Sequence, residues 1–444
     1  MLTEEFAVHR PIRRTTAVSV LLLAMSISFS FPSRLGAQEI PRPSLAREYR
    51  QPQGPPDYNA KIGHVYLTLD AGVRATYTDN VFYSDANKAS DFSINPQIGV
   101  DVTWPVTSAN TLRLNTTIGY TKYLNHRELD SANLTLAPDS ALTFDIYVGD
   151  FKIGLHDQFS IQQDPVGSGG SLSGIARLPR FTNTAGFNVL WDANDLIWTV
   201  GFDHYNFTTL GSATGVSDVD AATLASLDHT TDQISSSVKY QVTPVEFAGL
   251  EGTLSYSNYP NSSSANFSSF SAGPFVDAQL THFTHLYLSG GFKGYSSNSG
   301  EPAAAGGSGG GGVTGGYYAS AIFTHRLNHH YTDRLEIGHD DEADALSGRT
   351  AMNYVRYSSV WDINHSLSFV FGLFFEDTHE STGTPALGLA PADYRRFGCV
   401  VSTGYKLTEH VHVSLSYEFS KKDSTDPNQS YTQNQESIAF EYRF

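Results

Sequence analysis

The amino-acid sequence predicts an all-β fold, a transmembrane antiparallel β-barrel of about 18 strands (roughly 16 to 20) with short periplasmic turns and longer extracellular loops. Three observations support this prediction. Apolar and polar residues alternate along most of the chain, short turns and longer loops follow one another in regular order, and the N-terminus has the pattern of an export signal.

Composition excludes several other classes of protein. The chain has 444 residues, including 38 Gly, 24 Tyr and 27 Phe, and its charged fraction of 16% is below the ~25% usual for soluble domains. Mean hydropathy is −0.26, and beyond the N-terminus no apolar run approaches the ~18 residues that a membrane helix needs. The single cysteine, Cys399, has no disulfide partner, and a net charge of −17 argues against nucleic acid as a partner. These numbers favour an aromatic-rich β protein.

Residues 1–37 have the order of a secretory signal peptide. Arg10, Arg13 and Arg14 precede an apolar stretch from Ala17 to about Phe31, and small residues close the segment at Gly36-Ala37. A basic region, an apolar region and a small-residue end are the three parts of such a signal. We therefore expect cleavage near residue 37 and export of the mature chain.

Residues 38–60 are predicted to form a periplasmic leader rather than a domain. This segment has few apolar residues that could build a core, and it contains Pro41, Pro43, Pro52, Pro55 and Pro56. Proline-rich segments of this kind adopt extended, semi-rigid conformations. The predicted barrel then occupies residues 61–444.

Alternation with a period of two residues is clearest at the C-terminus. Apolar residues occupy one face, at Ile438, Phe440, Tyr442 and Phe444, and polar residues or alanine occupy the other. The segments 411–419 and 151–161 repeat this pattern, with Asp157 as the one polar residue on the apolar face of the second segment. Side chains that point to opposite faces at successive residues are the mark of a β-strand.

The turns distinguish a membrane barrel from a soluble sandwich, which would also alternate. Short turns are predicted at Pro105–Asn110, Gly149-Asp150, Ala193–Asp195, Thr243–Glu246, Thr281–Thr284, Asn328–His330, Asn364-His365 and Thr408–His410. Longer polar or glycine-rich loops are predicted between them, at Asp79–Ser90, near Arg127–Ser131, and at Asp164–Arg180, Leu210–Thr230, Pro260–Ser269, Asn298–Gly315, Ala343–Thr350, Ser381–Ala392 and Lys421–Ser430. Short turns on one side and longer loops on the other are typical of outer-membrane barrels.

A barrel in lipid must be apolar outside and polar inside. No water is available in the hydrocarbon layer, so every backbone N–H and C=O needs an internal partner and the sheet must close on itself. Four tryptophans close to the short turns fit an aromatic girdle at the membrane interface: Trp104, Trp191, Trp198 and Trp361.

The polar faces of the strands give the candidate lumen residues. The residues predicted to line the lumen are Arg74, Asp101, Arg113, Lys152, Asp203, Lys239, Lys293, Arg334, Glu336, Arg356, Arg396 and Glu418. Further candidate anions are Asp70, Asp145, Glu251, Asp277, Asp340 and Glu441. Both signs are interspersed, so two interpretations stay open. The charges either set up a transverse field across an aqueous channel, or form ion pairs that satisfy a narrow lumen.

We predict no metal, cofactor or catalytic site. Histidines occur at the predicted periplasmic turns (His282, His285, His329, His330, His410 and His412), where solvent exposure explains them. The acidic run Asp340-Asp341-Glu342 is interpreted as a solvated face near an outer loop. Ser308 lies in a Gly-x-Ser-x-Gly pattern, but within a glycine run and without a following helix, so it is interpreted as part of a linker.

One segment carries a family resemblance. Residues 76–85 read Thr-Tyr-Thr-Asp-Asn-Val-Phe-Tyr-Ser-Asp, and Ser90-Asp91-Phe92 and Pro96-Gln97-Ile98-Gly99 follow. This segment resembles the outer-membrane β-barrel porins of Gram-negative bacteria, some of which accompany exopolysaccharide systems. The terminal aromatic strand, with Phe440, Tyr442 and Phe444, resembles the signal that the barrel-assembly machinery recognises. The resemblance implies a barrel in the cell outer membrane and carries no catalytic residues.

The predicted function is a porin-like channel for passive diffusion of small polar solutes. The alternative is a non-conducting export or scaffold barrel that serves exopolysaccharide secretion. The expected partners are the lipid bilayer with its lipopolysaccharide, the barrel-assembly machinery, and small polar solutes or a polysaccharide.

Overall fold

The structure is a computed structural model. It describes residues 58–86, 88–163, 177–212, 224–261, 266–297, 314–344, 348–380 and 391–444. The predicted signal peptide, most of the predicted leader, and Ser308 with its glycine run lie outside these residues.

The described residues form one antiparallel sheet of 21 strands. The strands are β1 (Ala60–Ile62), β2 (Val65–Thr78), β3 (Asp91–Pro105), β4 (Thr111–Gly119), β5 (Lys122–Tyr123), β6 (Thr135–Leu136), β7 (Ala141–Val148), β8 (Phe151–Gln162), β9 (Arg180–Ala193), β10 (Leu196–Thr209), β11 (His229–Thr243), β12 (Glu246–Asn258), β13 (Phe267–Thr281), β14 (Thr284–Ser297), β15 (Thr314–Asn328), β16 (Tyr331–Asp344), β17 (Gly348–Asp362), β18 (Leu367–Glu380), β19 (Asp393–Lys406), β20 (Val411–Ser424) and β21 (Tyr431–Arg443).

The sheet closes into a barrel because β2 pairs with β21 as well as with β3, and each later strand pairs with its neighbours in sequence. The short strands β5 and β6 extend the β4 and β7 positions in the wall, and β1 pairs only with the start of β2. Eighteen spanning strands therefore make up the barrel among the described residues, which confirms the predicted architecture. At the seam, the Phe444 N–H donates to the Leu69 carbonyl at 3.2 Å.

The eight short turns all lie where the sequence predicts them. The shortest connections are two residues long, as at 149–150 between β7 and β8 and at 194–195 between β9 and β10. On the other side of the barrel, strands occupy the ends of several predicted loops. The largest differences are at β13, which begins at Phe267, at β16 and β17, which continue to Asp344 and resume at Gly348, and at β20, which continues to Ser424. Residues 267–269, 343–344, 348–350 and 421–424, predicted as loop, therefore belong to strands, as do residues 180, 229–230 and 314–315.

The outer face of the barrel is apolar. Large hydrophobic side chains that are exposed and point away from the lumen include Ile98, Leu250, Leu254, Leu288, Phe292, Leu373, Phe375, Leu415 and Phe440. The four tryptophans also point outward near the short turns, as expected of an aromatic girdle. Large apolar groups exposed over a whole closed surface are stable only against lipid.

The extracellular loops pack on one another and on the strand ends. Asp91, at the start of β3, accepts hydrogen bonds from the backbone N–H groups of Asn125 and His126 at 3.1 and 2.8 Å. On the neighbouring loop, the Gln433 side chain donates to the Asn80 carbonyl at 2.8 Å, and Asn80 donates to the Thr432 carbonyl at 2.9 Å. These contacts fasten two loops to the barrel rim.

Among the described residues, no helix is both long enough and apolar enough to cross a bilayer.

Candidate functional site

The candidate site is the inner wall of the barrel. Residues directly opposite each other on antiparallel strands point to the same side of the sheet, so the register assigns each residue to one face. Relative to the outward side chains, the register places all twelve predicted lumen residues on the inner face: Arg74, Asp101, Arg113, Lys152, Asp203, Lys239, Lys293, Arg334, Glu336, Arg356, Arg396 and Glu418. Their participation in solute passage remains a prediction.

A buried ion-pair cluster centres on Glu376 of β18. The Arg396 guanidinium donates to Glu376 Oε2 through Nη2 at 2.5 Å and Nε at 2.9 Å. Arg356 donates to the other oxygen, Oε1, at 3.3 Å. The side chains of Glu376 and Arg396 are each only 2% exposed. One carboxylate thus ties together three neighbouring strands, β17 to β19.

Aromatic rings and glycines build the floor under these cations. Phe374 stands opposite Gly398, and its ring covers the glycine so closely that a Cβ added there would be 2.6 Å from the ring. The Arg396 guanidinium lies 4.6 Å above the centre of the Phe374 ring. A cation over an aromatic face is favourable electrostatically, so the ring both covers the glycine and holds the cation.

A cation over an aromatic ring that covers a glycine also occurs at β16 and β17, and a cation over an aromatic ring occurs at β19 and β20. Tyr354 covers Gly338, with Arg356 4.5 Å above the tyrosine ring. Lys422 of β20 is fully buried and lies 3.9 Å above the Tyr394 ring. Strands β17 to β20 thus form a wall in which three cations are held against aromatic rings.

A histidine–aspartate pair crosses β9 on the opposite part of the wall. His156 Nε2 donates to Asp203 Oδ1 at 2.6 Å, although the two residues belong to β8 and β10. Gly186 lies between them, opposite both residues, and a Cβ there would be 2.9 Å from His156 Nε2. The absence of a side chain at Gly186 therefore allows the contact.

Strands β11 to β14 carry a second polar network. His285 Nε2 donates to Asp277 Oδ1 at 2.6 Å, and Lys239 Nζ lies 4.0 Å from Asp277 Oδ2. His285 was interpreted as a turn histidine from the sequence, but it is the second residue of β14 and faces inward. The hydrogen bond to Asp277 accounts for a histidine on the inner face at this point.

Glu251 accepts hydrogen bonds from two tyrosines on the same wall. The hydroxyl groups of Tyr287 and Tyr318 each donate to one oxygen of Glu251 at 3.0 Å. Further along, Lys293 Nζ donates to Asp340 Oδ1 at 2.8 Å. The prediction that Asp340 and Asp341 form a solvated face is therefore wrong. Both are buried in the wall at β16, and Asp340 lies on the inner face, where it was also predicted as a lumen anion.

Several other predicted lumen charges also have partners. Lys152 Nζ lies 3.6 Å from Asp145, Arg334 donates to Glu336 at 3.1 Å, and Asn115 donates to Asp101. Asp70 accepts a hydrogen bond from the Gly99 N–H at 3.1 Å. Ion pairing is thus the main arrangement of the described charges, while a transverse field remains compatible with it.

Hydroxyl pairs connect neighbouring strands between the charged clusters. Their oxygens are 2.6–2.8 Å apart in Ser160–Thr182, Thr231–Ser257, Thr253–Ser271, Ser255–Ser269 and Ser416–Ser437. Such cross-strand pairs satisfy polar groups on the inner face without charge. Together with the ion pairs they make the described inner wall predominantly polar, with aromatic rings such as Phe374 set among the polar groups.

Three residues of the wall were absent from the sequence-based candidates. Glu376 lies two residues from Phe374, in a segment that has Phe residues on both faces of the strand. The alternation of polar and apolar residues is therefore hard to recognise in this segment. Lys422 fell within a predicted loop, and His156 was considered only with its neighbour Asp157. Strand parity alone would have identified Glu376 and His156, whereas Lys422 required the true end of β20.

Among the described residues, no group of three or more His, Cys, Asp or Glu side chains could hold a metal ion. At the periplasmic turn before β20, His410 Nδ1 donates to the Arg443 carbonyl at 2.9 Å and so helps to fix the end of β21.

The closed sheet, the apolar exterior with its aromatic girdle and the polar interior define a transmembrane β-barrel of the cell outer membrane. The fold and location implied by the family resemblance are therefore confirmed.

No family model matches the chain, and no curated protein matches it. Solved structures of similar architecture include Pseudomonas aeruginosa OccK2 (OpdF) in complex with glucuronate, at 13% identity and a TM-score of 0.46, covering 85% of this chain and 98% of that one. The outer membrane protein OpdK of Pseudomonas aeruginosa is 10% identical with a TM-score of 0.44, covering 85% and 99%. Acinetobacter baumannii OccAB3 has the same four values. Similarity at this level concerns barrel architecture and carries no information about the solute.

Proposed function

We propose that the protein is an outer-membrane channel through which small polar solutes diffuse passively. The observation that carries this proposal is the separation of side chains around a closed barrel, with ion pairs and hydroxyl groups inside and hydrocarbon outside. Polar side chains on the inner wall are stable when water fills the lumen, because water can hydrogen-bond to them.

The size of the barrel supports passage. Eighteen strands spaced by about 4.8 Å and tilted by about 40° give a cylinder roughly 35 Å across between opposite backbones. Barrels of 16–18 strands retain an aqueous channel after the inward side chains are accommodated. Solutes of a few ångströms therefore have room, provided that no loop fills the lumen.

The chemistry of the wall favours polar solutes without a catalytic step. A polar solute that enters lipid loses its hydrogen bonds to water, at a cost of several kcal/mol for each unpaired group. Serine, threonine and charged side chains along the wall replace those bonds. Because most described charges are paired with the opposite sign, we expect a modest ion preference rather than a strict one.

Conductance tests the proposal directly. The purified, folded protein in planar bilayers should give stepwise currents, whereas protein unfolded by heat should give none. A folded barrel that inserts and produces no current steps would contradict passage.

A matched pair of variants connects the current to this lumen. Gly372 lies on the inner face of β18 with no atom closer than 3.8 Å to the position of an added Cβ, and the next residue, Leu373, points outward. Gly372→Trp should lower the single-channel conductance, while Leu373→Trp should leave it unchanged. Equal conductance in both variants would show that the current does not pass by β18.

The export alternative has no support among the described residues. All five prolines of the leader on which it depended lie outside them.

A further inference from the structure

The seam between β2 and β21 joins the first and the last spanning strand among the described residues. Its nine residue pairs run from Asp70 opposite Arg443 to Thr78 opposite Gln435. The other adjacent spanning strands follow one another in sequence and are joined by a turn or a loop. In a hairpin, the connecting turn fixes the register of the two strands. At the seam the register needs a different determinant.

The alternation of side chains leaves the register of the seam ambiguous. Outward side chains occur at every second residue on both strands, as at Val73 on β2 and Phe440 on β21, which stand opposite each other. A shift by one residue would exchange the two faces, whereas a shift by two residues keeps each side chain on its own face. Because stagger and tilt are linked in a closed barrel, such a shift would change the geometry of the whole wall.

Asp79 and Asn434 are matched to each other just beyond the extracellular end of the seam ladder. The Asp79 N–H donates to the Asn434 carbonyl at 3.1 Å. In return, the backbone N–H and the side-chain Nδ2 of Asn434 donate to the two oxygens of the Asp79 carboxylate, at 2.7 and 2.6 Å. The Tyr417 hydroxyl of β20 donates to Asn434 Oδ1 at 2.8 Å and so turns Nδ2 toward Asp79.

Asn80 makes a second set of contacts with β21 from a fully buried position. Its side-chain Nδ2 donates to the Thr432 carbonyl at 2.9 Å, and its own carbonyl accepts from Gln433 Nε2 at 2.8 Å. Within its loop, Asn80 Nδ2 donates to the Ser84 carbonyl at 3.1 Å, and Oδ1 accepts from the Ser84 N–H at 3.3 Å. Asn80 therefore connects the shape of its own loop to the start of β21.

The rest of this loop is held against the same region. The Asp85 N–H donates to the Ser430 carbonyl at 3.2 Å, and Asp85 Oδ1 accepts from the Thr432 N–H at 3.2 Å. The rings of Tyr83 and Tyr431 meet edge to face, with centroids 5.5 Å apart. Tyr83 has a φ of 52°, a left-handed conformation that is unfavourable for tyrosine and persists only where the surroundings enforce it.

The short strand β1 occupies the edge of β2 on the periplasmic side of β21. It pairs with the first three residues of β2. Asn59, directly before β1, donates through Nδ2 to the Leu69 carbonyl at 2.6 Å and accepts from the Leu69 N–H at 3.1 Å. The same carbonyl accepts from the Phe444 N–H, so β21 ends where Asn59 begins to contact β2.

We propose that residues 79–85 together with residues 430–434 form a seam lock, which fixes the register in which β21 pairs with β2 when the barrel closes. A shift of β21 by two residues toward the extracellular side would bring Asp79 opposite Glu436 instead of Asn434, and two carboxylates would repel each other. The seam lock therefore opposes this shift.

The opposite shift is blocked by β1. Moving β21 by two residues toward the periplasm would place Phe444 opposite Leu67, a position that Ala60 of β1 occupies. The last strand is thus held at both ends. The seam lock also gives a role to the Asp-Asn pair at 79–80, within the segment that carries the family resemblance. The proposal depends on the closed barrel and is independent of solute passage.

Disulfide formation across the seam measures the register. In a Cys399→Ser background, Thr76→Cys is combined with Ser437→Cys, its direct partner, or with Ala439→Cys or Gln435→Cys, two residues away on either side. An intramolecular disulfide closes most of the chain into a ring and changes its mobility on a denaturing gel without reductant. With the seam lock intact, only the pair with Ser437→Cys should form, because thiols two residues out of register are too far apart.

Asp79→Ala with Asn80→Ala removes the seam lock. After refolding from urea into vesicles, the disulfide between positions 76 and 439 should increase several-fold over the parent chain. The disulfide between positions 76 and 435 should stay at the level of the parent, because β1 still blocks that shift.

A matched control removes an acid and an amide from the rim at strands that are joined by loops. Asp228 accepts from the Thr209 N–H at 2.7 Å, and Asn266 Oδ1 accepts from the Tyr259 N–H at 2.6 Å. Asp228→Ala with Asn266→Ala should leave the seam in its native register. A folded Asp79→Ala, Asn80→Ala chain that forms only the disulfide between positions 76 and 437 would overturn the proposal.

An exchange of the two matched side chains tests the seam lock even if the double alanine variant folds poorly. Asn434→Asp alone sets two carboxylates against each other and should reduce the amount of folded barrel several-fold, measured by heat-modifiable gel mobility. Adding Asp79→Asn restores a donor opposite an acceptor, so it should recover both the folded barrel and the disulfide between positions 76 and 437. No recovery on exchange would overturn the proposal.

Discussion

Glu376 and Arg396 stand opposite each other on β18 and β19 and form a buried ion pair on the inner face. On the very next rung, Asp377 and Arg395 also stand opposite each other, and their ion pair at 3.0 Å lies on the outer face. The inner side chains are each 2% exposed, while those of Asp377 and Arg395 are 46% and 72% exposed. The same pair of charges therefore occurs in two environments on adjacent rungs.

This relationship predicts very different effects of removing the two acids. Glu376→Ala leaves Arg396 and Arg356 buried without their main partner, which should lower the free energy of unfolding by about 3 kcal/mol. Asp377→Ala removes an exposed pair that lies within three residues of the extracellular strand ends, and should cost less than about 1 kcal/mol. Urea titrations of both variants in lipid vesicles measure the difference. Equal losses would show that Glu376 is accessible to water.

The contact between His156 and Asp203 predicts an effect at the glycine between them. A methyl group at position 186 would lie within 3 Å of the Phe202 carbonyl oxygen, of Asp203 Oδ1 and of His156 Nε2, so it would crowd the backbone as well as both partners of the hydrogen bond. Gly186→Ala should therefore break the hydrogen bond and lower the free energy of unfolding by about 1–3 kcal/mol.

Gly372→Ala is the control for this substitution, because position 372 is also on an inner face but has space for a methyl group. Its unfolding should change by about 0.5 kcal/mol or less. If both glycine variants unfold alike, the close packing of His156, Asp203 and the Phe202 carbonyl around Gly186 contributes nothing to stability.

The seam between β21, β2 and β3 predicts an effect on ion preference. Asp101 and Glu441 both lie on the inner face of this seam, close to Asp70. Asp101→Asn with Glu441→Gln removes two negative charges from the lumen and should shift the reversal potential in a salt gradient toward anions. Asp333→Asn removes a charge from the outer face and should leave the reversal potential unchanged. A shift of the same size in both would assign the effect to surface charge.

The terminal aromatic residues predict a defect in assembly rather than in stability. Phe444 is exposed on the outer surface, and its contact with the rest of the barrel includes one backbone hydrogen bond to Leu69. Phe444→Ser should reduce the amount of folded barrel in the outer membrane several-fold. Refolding of the purified variant into vesicles should remain close to that of the parent chain. Loss of both would indicate a structural role for Phe444 instead of a recognition signal.

Much of the barrel could be predicted because local pattern determines it. Alternation assigned the faces of strands such as β20 and β21, and the short turns lie where turn residues interrupt that alternation. The number of strands followed from the turns. These features depend on neighbours in sequence, which a single chain displays directly.

The partners of the lumen residues could not be predicted in the same way. Asp203 was a candidate, but its contact with His156 depends on the register of three strands and on a glycine between them. Asp340 was predicted both as a lumen anion and as part of a solvated acidic run, and only the first prediction agrees with its burial. Lys422 was misplaced because β20 extends further than the polar sequence there suggests. Their partners, Lys293 and the Tyr394 ring, hold these charges in the wall.

Labelling of single cysteines along β20 tests the central claim, a barrel with water inside and lipid outside, most directly. In a Cys399→Ser background, Ser414→Cys and Ser416→Cys should react with a membrane-impermeant maleimide in vesicles, because these positions face the lumen. Leu415→Cys and Tyr417→Cys should remain unlabelled, since both face lipid. Labelling that alternates from one residue to the next is the predicted result. Uniform labelling of all four positions, or none at Ser414 and Ser416 in a folded barrel, would contradict the account.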